Sequence, residues 1–461
     1  MKYQINREFI YFICCVSALG GLLFGYDWVV IGGAKPFYET FFGIESDPAM
    51  QGLAMSIAIA GCLVGAMVAG FFADLFGRKP LLLFSAFVFL LSAYMTGAVD
   101  TFMPFLIARL IGGVAIGVAS GMSPMYIAEV SPSETRGQMV SINQLTIVLG
   151  ILAAQMVNWL IAEPIPQGLE LPPLDSWNCQ WGWRWMCWAE AFPAALFLVL
   201  VLFIPESPRV LIGKGRQEKA SEVFSHIGGE LYAVAEIKAI QCTEEDSHER
   251  GSLLSLFHKP YFSLIVLGIV IAVFQQWCGT NVIFNYAQEI FANAGYDLGE
   301  MLFNIVLTGI TNVIFTFVAL YTVDRIGRKK LMLLGSGGLF TIYLILGSCY
   351  YFSVSGIFMV ILVMLAIACY AMSLGPVTWV LLSEIFPNKF RGVAMAVCTF
   401  ALWSGCFTLT YSFPILNASL GSYGTFWLYS AICLAGFIYF RSSLPETKGK
   451  TLEEIEKELI E

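Results

Sequence analysis

The sequence predicts an all-α membrane protein with twelve transmembrane helices in two six-helix halves. Hydrophobic residues make up 58% of the chain and charged residues only 13%, whereas soluble domains carry about 25% charged residues. Apolar runs of roughly 20 residues recur along the chain, and each is long enough to cross a bilayer as a helix. Charged motifs that occur once in each half complete the argument.

The predicted spans follow one another with short connections, apart from one polar segment in the middle of the chain. The first span is too long, and too embedded in this pattern, to be a cleaved signal peptide. The spans are 9–33, 51–72, 80–98, 103–127, 139–162, 183–204, 262–292, 301–322, 330–351, 357–385, 391–417 and 425–443.

The positions of the cations predict the orientation. Of 25 Lys and Arg residues, all but Lys35, Arg109 and Arg184 fall in the termini or beside the even-numbered loops. By the positive-inside rule, both termini and the central loop are expected in the cytoplasm of a multi-pass protein of the cell (inner) membrane. The predicted division is an N-terminal half at 1–204, a cytoplasmic linker at 205–260, a C-terminal half at 261–444 and a tail at 445–461.

Cysteine and histidine give no sign of a metal site or cofactor. The 12 cysteines are scattered without a CxxC pair, which is typical of small buried apolar residues. All three histidines, His226, His248 and His258, lie in the polar central segment. A proton relay inside the membrane would therefore have to use carboxylates, with the proton as the only coupling ion.

Three charged motifs occur once in each half, at nearly constant offsets of 250, 255 and 240 residues. A parallel repeat of this kind is used by rocking transporters, whose site lies between the halves near mid-membrane. The pairs are GFFADLFGRKP (70–80) with YTVDRIGRKKL (321–331), YIAEVSPSETRGQ (126–138) with LSEIFPNKFRGVA (382–394), and PESPR (205–209) with PETKGK (445–450).

The acids and arginines of these motifs are expected to form ion pairs between neighbouring helices at the cytoplasmic face, with Arg as a bidentate partner. Such pairs would hold that face shut in one state and break in the other. The alternative is that they only mark topology and extend to the membrane interface. The candidate gate residues are Asp74, Arg78, Glu129, Arg136, Asp324, Arg328, Glu384 and Arg391.

Taken in order, these motifs resemble those of the sugar porter family of the major facilitator superfamily, over essentially the whole chain. The resemblance implies the major facilitator fold and transport of a neutral monosaccharide by alternating access. The expected partners are a monosaccharide, protons and the lipid bilayer. We expect a monomer that is not an enzyme and that binds no nucleic acid.

The stretch GGLLFGYDWVVIGG (20–33) places the carboxylate of Asp27 inside the first span, where a charge costs about 2.5–3.5 kcal/mol on insertion scales. Counted at 1.5 Å per residue from the predicted span ends, Asp27, Arg109 and Glu190 share one layer about 10 Å below the outer surface. They are also the only ionisable groups expected well inside the first six spans. Because a buried Arg keeps its proton, Arg109 needs a carboxylate partner.

These three residues suggest a proton switch. Ionised Asp27 would pair with Arg109, and protonated Asp27 would release Arg109 to Glu190. The resemblance supports this, because the matching Asp, Arg and Glu of a coupled symporter of the family carry proton coupling, while uniporters have a neutral residue at the Asp27 position. The alternative is a static ion pair that joins spans one and four.

FQQWCGTNVIFNYAQEIF (274–291) places neutral amides inside span seven. Gln275 and Asn281 cannot share a face of a straight helix, which predicts a break near Gly279, and irregular backbone at membrane depth has to line a cavity. Amides suit a polyhydroxylated neutral ligand, although polar residues also join helices. By resemblance, the sugar-binding residues are Phe24, Gln144, Gln275, Gln276, Asn281, Asn312, Gly375, Trp379 and Trp403.

The chain departs from the family pattern at three places in this predicted pocket. Leu402 and Ile151 replace glutamines of the coupled symporter that it most resembles, and Asn285-Tyr286 replaces the usual Tyr-Tyr pair. The substrate could therefore be xylose or another pentose, a hexose or a less common neutral monosaccharide.

We expect a proton-coupled symporter that imports a neutral monosaccharide. A facilitative uniporter and a non-transporting sugar sensor are the alternatives. A membrane enzyme is disfavoured because the chain has no HExxH, GxSxG or phosphate-binding Gly-rich motif in a suitable context.

Overall fold

The computed structural model describes residues 5–164, 173–246, 261–386 and 391–448, with backbone only at 241–246, 298, 324 and 391. Every regular element in these ranges is helical, and one π-helical turn, Asn178–Gly182, precedes α6. The helices are α1 Arg7–Phe42, α2 Pro48–Phe76, α3 Arg78–Ala98, α4 Phe102–Val130, α5 Arg136–Ile161, α6 Trp183–Trp188, α7 Ala191–Val201, α8 Pro208–Gly213, α9 Gln217–Gly228, α10 Glu230–Asp246, α11 Phe262–Trp277, α12 Thr280–Asn293, α13 Leu298–Ile326, α14 Arg328–Tyr351, α15 Ile357–Met372, α16 Leu374–Glu384 and α17 Arg391–Ser443.

Eleven helical segments of the described chain are long and apolar enough to cross a membrane. The last segment contains two predicted spans, because α17 has 53 residues and would be about 80 Å long if it were continuous. A bilayer core is only about 30 Å thick. At Gly421 the backbone has φ 68° and ψ 170°, which ends one helix and starts the next. The twelve-helix prediction is confirmed in this sense.

Helix α1 is longer than predicted. It ends at Phe42 instead of Gly33 and includes Pro36, whose missing N–H leaves one backbone carbonyl without its helical donor but does not stop the helix. Lys35 and Glu39 therefore belong to this helix, and both are buried in the protein. Asp27, Arg109 and Glu190 are therefore not the only buried ionisable groups of the first helices, because Lys35 and Glu39 join them. Asp27 lies 15 residues before the end of α1, and its depth in the bilayer stays a prediction.

Two predicted spans are broken. The expected break in span seven is confirmed, because Gly279 adopts a left-handed conformation (φ 86°, ψ −7°) between α11 and α12. A second break, at Ser373 between α15 and α16, was not predicted. Pro376 follows it, and the missing N–H of a proline removes the hydrogen bond that would cross this break.

The chain forms two compact units. Unit 1 comprises Met1–Trp28, Ala60–Ile151 and Cys187–Arg250, and unit 2 comprises Val29–Ile59, Leu152–Met186 and Gly251–Glu461. In unit 1, α3 packs along α4 and α7; in unit 2, α14 and α11 pack along α17, and α13 along α15. The predicted division into two halves, a linker and a tail follows from the sequence repeat and stays a prediction.

Candidate functional site

A buried ion pair lies in unit 1. Asp27 of α1 and Arg109 of α4 are each 2% exposed, and Arg109 Nη1 binds Asp27 Oδ1. Arg109 Nη2 also donates to the backbone carbonyl of Asp27 at 3.3 Å. The structure thus brings together the two residues that the sequence paired, and the charge of Asp27 is compensated inside the helix bundle.

Glu190 provides a second carboxylate for Arg109. It is buried and interacts electrostatically with both Asp27 and Arg109. Its Oε1 has no hydrogen-bond partner among the described residues. Glu190 lies between α6 and α7, where Pro193 cannot donate a backbone hydrogen bond to the carbonyl of Ala189, four residues earlier. The interruption of span six thus coincides with this acid.

Gly112 makes room for the Asp27 carboxylate, a role that was not predicted from the sequence. A Cβ at Gly112 would overlap Ser92 Oγ and lie 3.1 Å from Asp27 Oδ2. Ser92 Oγ is held in place because it donates to the carbonyl of Ala108 at 2.9 Å. The signal in the sequence was the glycine pair that follows Arg109 by one helical turn.

Three amides of unit 2 form a hydrogen-bonded chain around the break at Gly279. Gln276 Nε2 donates to Gln275 Oε1 at 2.6 Å, and Asn281 Nδ2 donates to Gln276 Oε1. The amide of Asn281 also lies 3.8 Å from Cys406 Sγ of α17. Each amide keeps further donors and acceptors, so the chain can present polar groups to a hydroxylated ligand.

The remaining predicted sugar residues are divided between the units. In unit 2, Asn312 and Trp403 are buried, Gly375 is half-buried, and Trp379 is 39% exposed. In unit 1, Gln144 is exposed. The ring of Phe24, also in unit 1, packs edge-on against Trp28 with 5.9 Å between the centroids.

The three departures from the family pattern are all buried. They are Ile151 in unit 1 and Leu402 and Asn285 in unit 2.

Arg78 joins the charged motifs of unit 1. Its guanidinium forms ion pairs with Asp74 at 2.9 Å and Glu129 at 2.8 Å. Nη1 also donates to the Ala73 carbonyl at 2.7 Å. Ser207 Oγ donates to the second oxygen of Glu129. The predicted fourth member, Arg136, is not bonded in the same way, because its Nε has no partner among the described residues.

Arg328 forms the matching network in unit 2. Its Nη2 binds Glu384 Oε1 at 3.0 Å, and Thr447 Oγ1 donates to Glu384 Oε2 at 2.6 Å. Asp324 and Arg391, which the sequence also assigned to the gate, lie outside the described side chains.

Each network contains one acid that was not predicted from the sequence. Glu206 Oε1 accepts from the backbone N–H of Arg78 at 2.9 Å and of Lys79 at 3.2 Å, at the first turn of α3. Glu446 Oε1 accepts from the N–H of Arg328 at 3.0 Å, at the first turn of α14. A negative charge at the N-terminus of a helix is stabilised by the helix dipole, so both carboxylates stabilise the starts of these helices. The repeat of PESPR and PETKGK at a spacing of 240 residues pointed to these two acids, but not to the helix ends that they cap.

Helices long and apolar enough to cross a membrane, with a buried ion pair in one unit and buried neutral amides in the other, are typical of a multi-pass membrane transporter. The chain belongs to the family described as "Sugar (and other) transporter", whose profile matches residues 13–459. This is a transporter family and not an enzyme family. The expected resemblance and the major facilitator fold are confirmed.

Two relatives and one solved structure cover nearly the whole chain. The arabinose-proton symporter of Bacillus subtilis is 36% identical, over 98% of this chain and 95% of the relative. The D-xylose-proton symporter of Escherichia coli is 35% identical, over 99% of this chain and 97% of the relative. An inward open structure of the xylose transporter from E. coli has a TM-score of 0.85 and 34% identity, covering 97% of this chain and 99% of that chain.

Proposed function

We propose that the protein is a symporter that imports a neutral monosaccharide together with protons across the cell membrane by alternating access. It acts as a monomer with both termini in the cytoplasm and uses the proton as its only coupling ion, without a cofactor. The observation that carries this proposal is the buried contact of Asp27 with Arg109 in a chain of the sugar transporter family.

The proton acts on the balance of charges around Arg109. Ionised Asp27 and Arg109 neutralise each other in an almost completely buried site. A proton on Asp27 cancels its charge, and Arg109, which keeps its own proton, then has Glu190 as its remaining carboxylate. An unpaired buried cation costs several kcal/mol, so protonation changes which arrangement of α1, α4 and α7 is most stable. This links proton binding to the change of conformation.

The amide chain of unit 2 carries the sugar site. Gln275, Gln276 and Asn281 offer donors and acceptors without net charge, and the partly exposed Trp379 offers an aromatic face to the C–H surface of a sugar ring. The relatives named for arabinose and xylose support a pentose. A hexose is the second candidate, because the aliphatic residues Ile151 and Leu402 stand where the resembling symporter has glutamines.

A facilitative uniporter is the alternative with the same fold. It would have no need of an ionisable group at position 27, and a functionless carboxylate there would cost free energy. The buried Asp27–Arg109 pair therefore favours coupled transport. A non-transporting sensor would bind sugar but would show no counterflow.

The test is counterflow in proteoliposomes against labelled L-arabinose, D-xylose and D-glucose. Gln275→Ala should weaken sugar binding about tenfold or more, because unpaired sugar hydroxyls in a desolvated site cost about 1–3 kcal/mol. Trp379→Ala should also weaken sugar binding, because it removes the aromatic face that packs on the C–H surface of the sugar. Trp185→Ala, at another exposed tryptophan, is the matched control and should bind normally. Unchanged affinity in both site variants would overturn the proposed sugar site. Absence of counterflow with every sugar in the parent would overturn the proposed function.

A further inference from the structure

The C-terminal part of α1 holds a second buried ionic cluster, within unit 2. Lys35 Nζ lies 3.0 Å from both carboxylate oxygens of Glu39, one turn further along the helix. The same ammonium binds Oε1 of Glu289 on α12. The side chains of Lys35 and Glu39 are 3% and 7% exposed, and that of Glu289 is 21% exposed. One lysine thus joins two acids from two helices.

The surroundings of this cluster are apolar or uncharged on most sides. Lys35 Nζ lies 5.6 Å from the centre of the Tyr286 ring. Asn417 Nδ2 donates to Glu289 Oε2 at 3.5 Å. The phenols of Tyr38 and Tyr286 remain neutral near pH 7. Glu45, beyond the end of α1, interacts with Glu39 electrostatically and adds a further negative charge.

The cluster therefore contains two carboxylates for one ammonium, and an uncompensated buried charge is costly. Separation of α1 from α12 would let water solvate the second carboxylate. In the packed arrangement, a proton removes the excess charge instead. The cost of packing the two helices should accordingly fall as protons become available.

We propose that Lys35, Glu39 and Glu289 form a proton-binding latch, which takes up one proton from water when α1 and α12 pack together and returns it when they separate. This inference rests on the proposed function, because alternating access supplies the separation of the helices. On the predicted orientation, the latch is at the extracellular side and does not carry its proton across the membrane. It differs in this from the Asp27 site, and acid outside favours closure.

The test measures opening directly, with Ala287→Cys as a reporter. Ala287 lies on α12 two residues before Glu289 and is buried. A membrane-impermeant thiol reagent is applied from outside, in the Asp27→Asn background, so that Asp27 adds no pH dependence. Rates are divided by the rate of an exposed cysteine, Ser355→Cys, to remove the intrinsic pH dependence of thiols. The protein without an added cysteine gives the blank.

Removal of the base and removal of one acid should have different effects on the labelling of the reporter cysteine. Lys35→Gln leaves two carboxylates unpaired and should raise labelling about tenfold or more. Glu39→Gln leaves the neutral pair of Lys35 and Glu289, so labelling should stay at or below the parent level. The exchange Lys35→Glu/Glu289→Lys keeps two acids and one base and should return labelling toward the parent level. Glu300→Gln, at an exposed acid, is the control and should change nothing.

The pH dependence completes the test. Labelling of the reporter should increase from pH 5.5 to 8, and Glu39→Gln should flatten that increase. Equal increases in labelling for Lys35→Gln and Glu39→Gln, a pH profile unaffected by Glu39→Gln, or no labelling in any variant would each overturn the latch. Labelling needs neither sugar nor a gradient, so these results are separable from a failure of monosaccharide counterflow, which would overturn the proposed function.

Discussion

The Asp27–Arg109 pair and the Arg78 network both join an arginine guanidinium to carboxylates, but they differ in how far water reaches them. Asp27 is the single acid in direct contact with Arg109 among the described side chains, and both are almost completely buried. Arg78 instead binds Glu129 together with Asp74, whose side chain is 79% exposed. We therefore expect the removal of one charge to have a different effect in the two places.

The difference concerns how the lost partner is replaced. Around Arg78, a second acid and a backbone carbonyl remain when one carboxylate is neutralised, and water reaches Asp74. Around Arg109, the remaining acid is Glu190, which has to be approached by a change in structure. We infer that the Arg78 network holds helix ends together. At the Arg109 site, protonation instead favours a different conformation.

The largest expected effect comes from Asp27→Asn, which keeps the size of the side chain but cannot ionise. It should mimic the protonated state permanently. Sugar binding and counterflow, which need no net proton movement, should survive, whereas uphill uptake driven by a pH gradient should be abolished. Both are measured in proteoliposomes with the same labelled sugar.

Glu129→Gln is the matched control, because it neutralises one carboxylate in the Arg78 network. It should reduce counterflow and uphill uptake together, without separating them. If the Asp27→Asn variant still accumulates sugar against a gradient, Asp27 is structural and the comparison between the two sites fails.

The second prediction concerns Arg78→Ala, which leaves Glu129 without its guanidinium partner. Breaking a mostly buried pair costs about 3 kcal/mol, so the melting temperature in detergent should fall. The balance should shift toward the state that is open on the cytoplasmic side, with faster labelling of native thiols in inside-out vesicles. Arg78→Lys should recover only part of the loss, because an ammonium cannot reproduce the planar fork. Unchanged labelling would leave these motifs as markers of topology.

Arg328→Ala should have the same direction of effect and a smaller size. The side chains of Arg328 and Glu384 are 13% and 21% exposed, against 9% and 10% for Arg78 and Glu129. More water around the pair lowers the cost of breaking it, to about 1–2 kcal/mol. The same melting and labelling measurements apply. A larger effect at Arg328 than at Arg78 would show that exposure does not set the strength of these networks.

The spans, the break in span seven and the partner of Arg109 could be predicted, because each follows from a clear sequence pattern. Apolar runs predicted the spans, and the incompatible faces of Gln275 and Asn281 predicted the break at Gly279. The need of a buried guanidinium for an acid predicted the partner of Arg109.

Other features depend on packing that no local pattern encodes. The first predicted span ended with the apolar run at Gly33, yet α1 continues to Phe42, so the ionic cluster with Glu289 was missed. Glu206 and Glu446 cap helices that are distant in the sequence, and the motif repeat alone did not indicate their role.

The last prediction concerns Gly112→Ala, which changes no charge. Its Cβ would overlap Ser92 Oγ and press on Asp27 Oδ2 at 3.1 Å, and overpacking of this kind costs about 1–3 kcal/mol. Because the carboxylate has to move, the contact with Arg109 should weaken, and uphill uptake should fall by about tenfold while counterflow changes less. Gly121→Ala is the control on the same helix, since its Cβ would meet only Ala69 at 3.9 Å. If both alanine variants transport like the parent, the geometry at Asp27 tolerates displacement, and charge alone distinguishes this site from the Arg78 network.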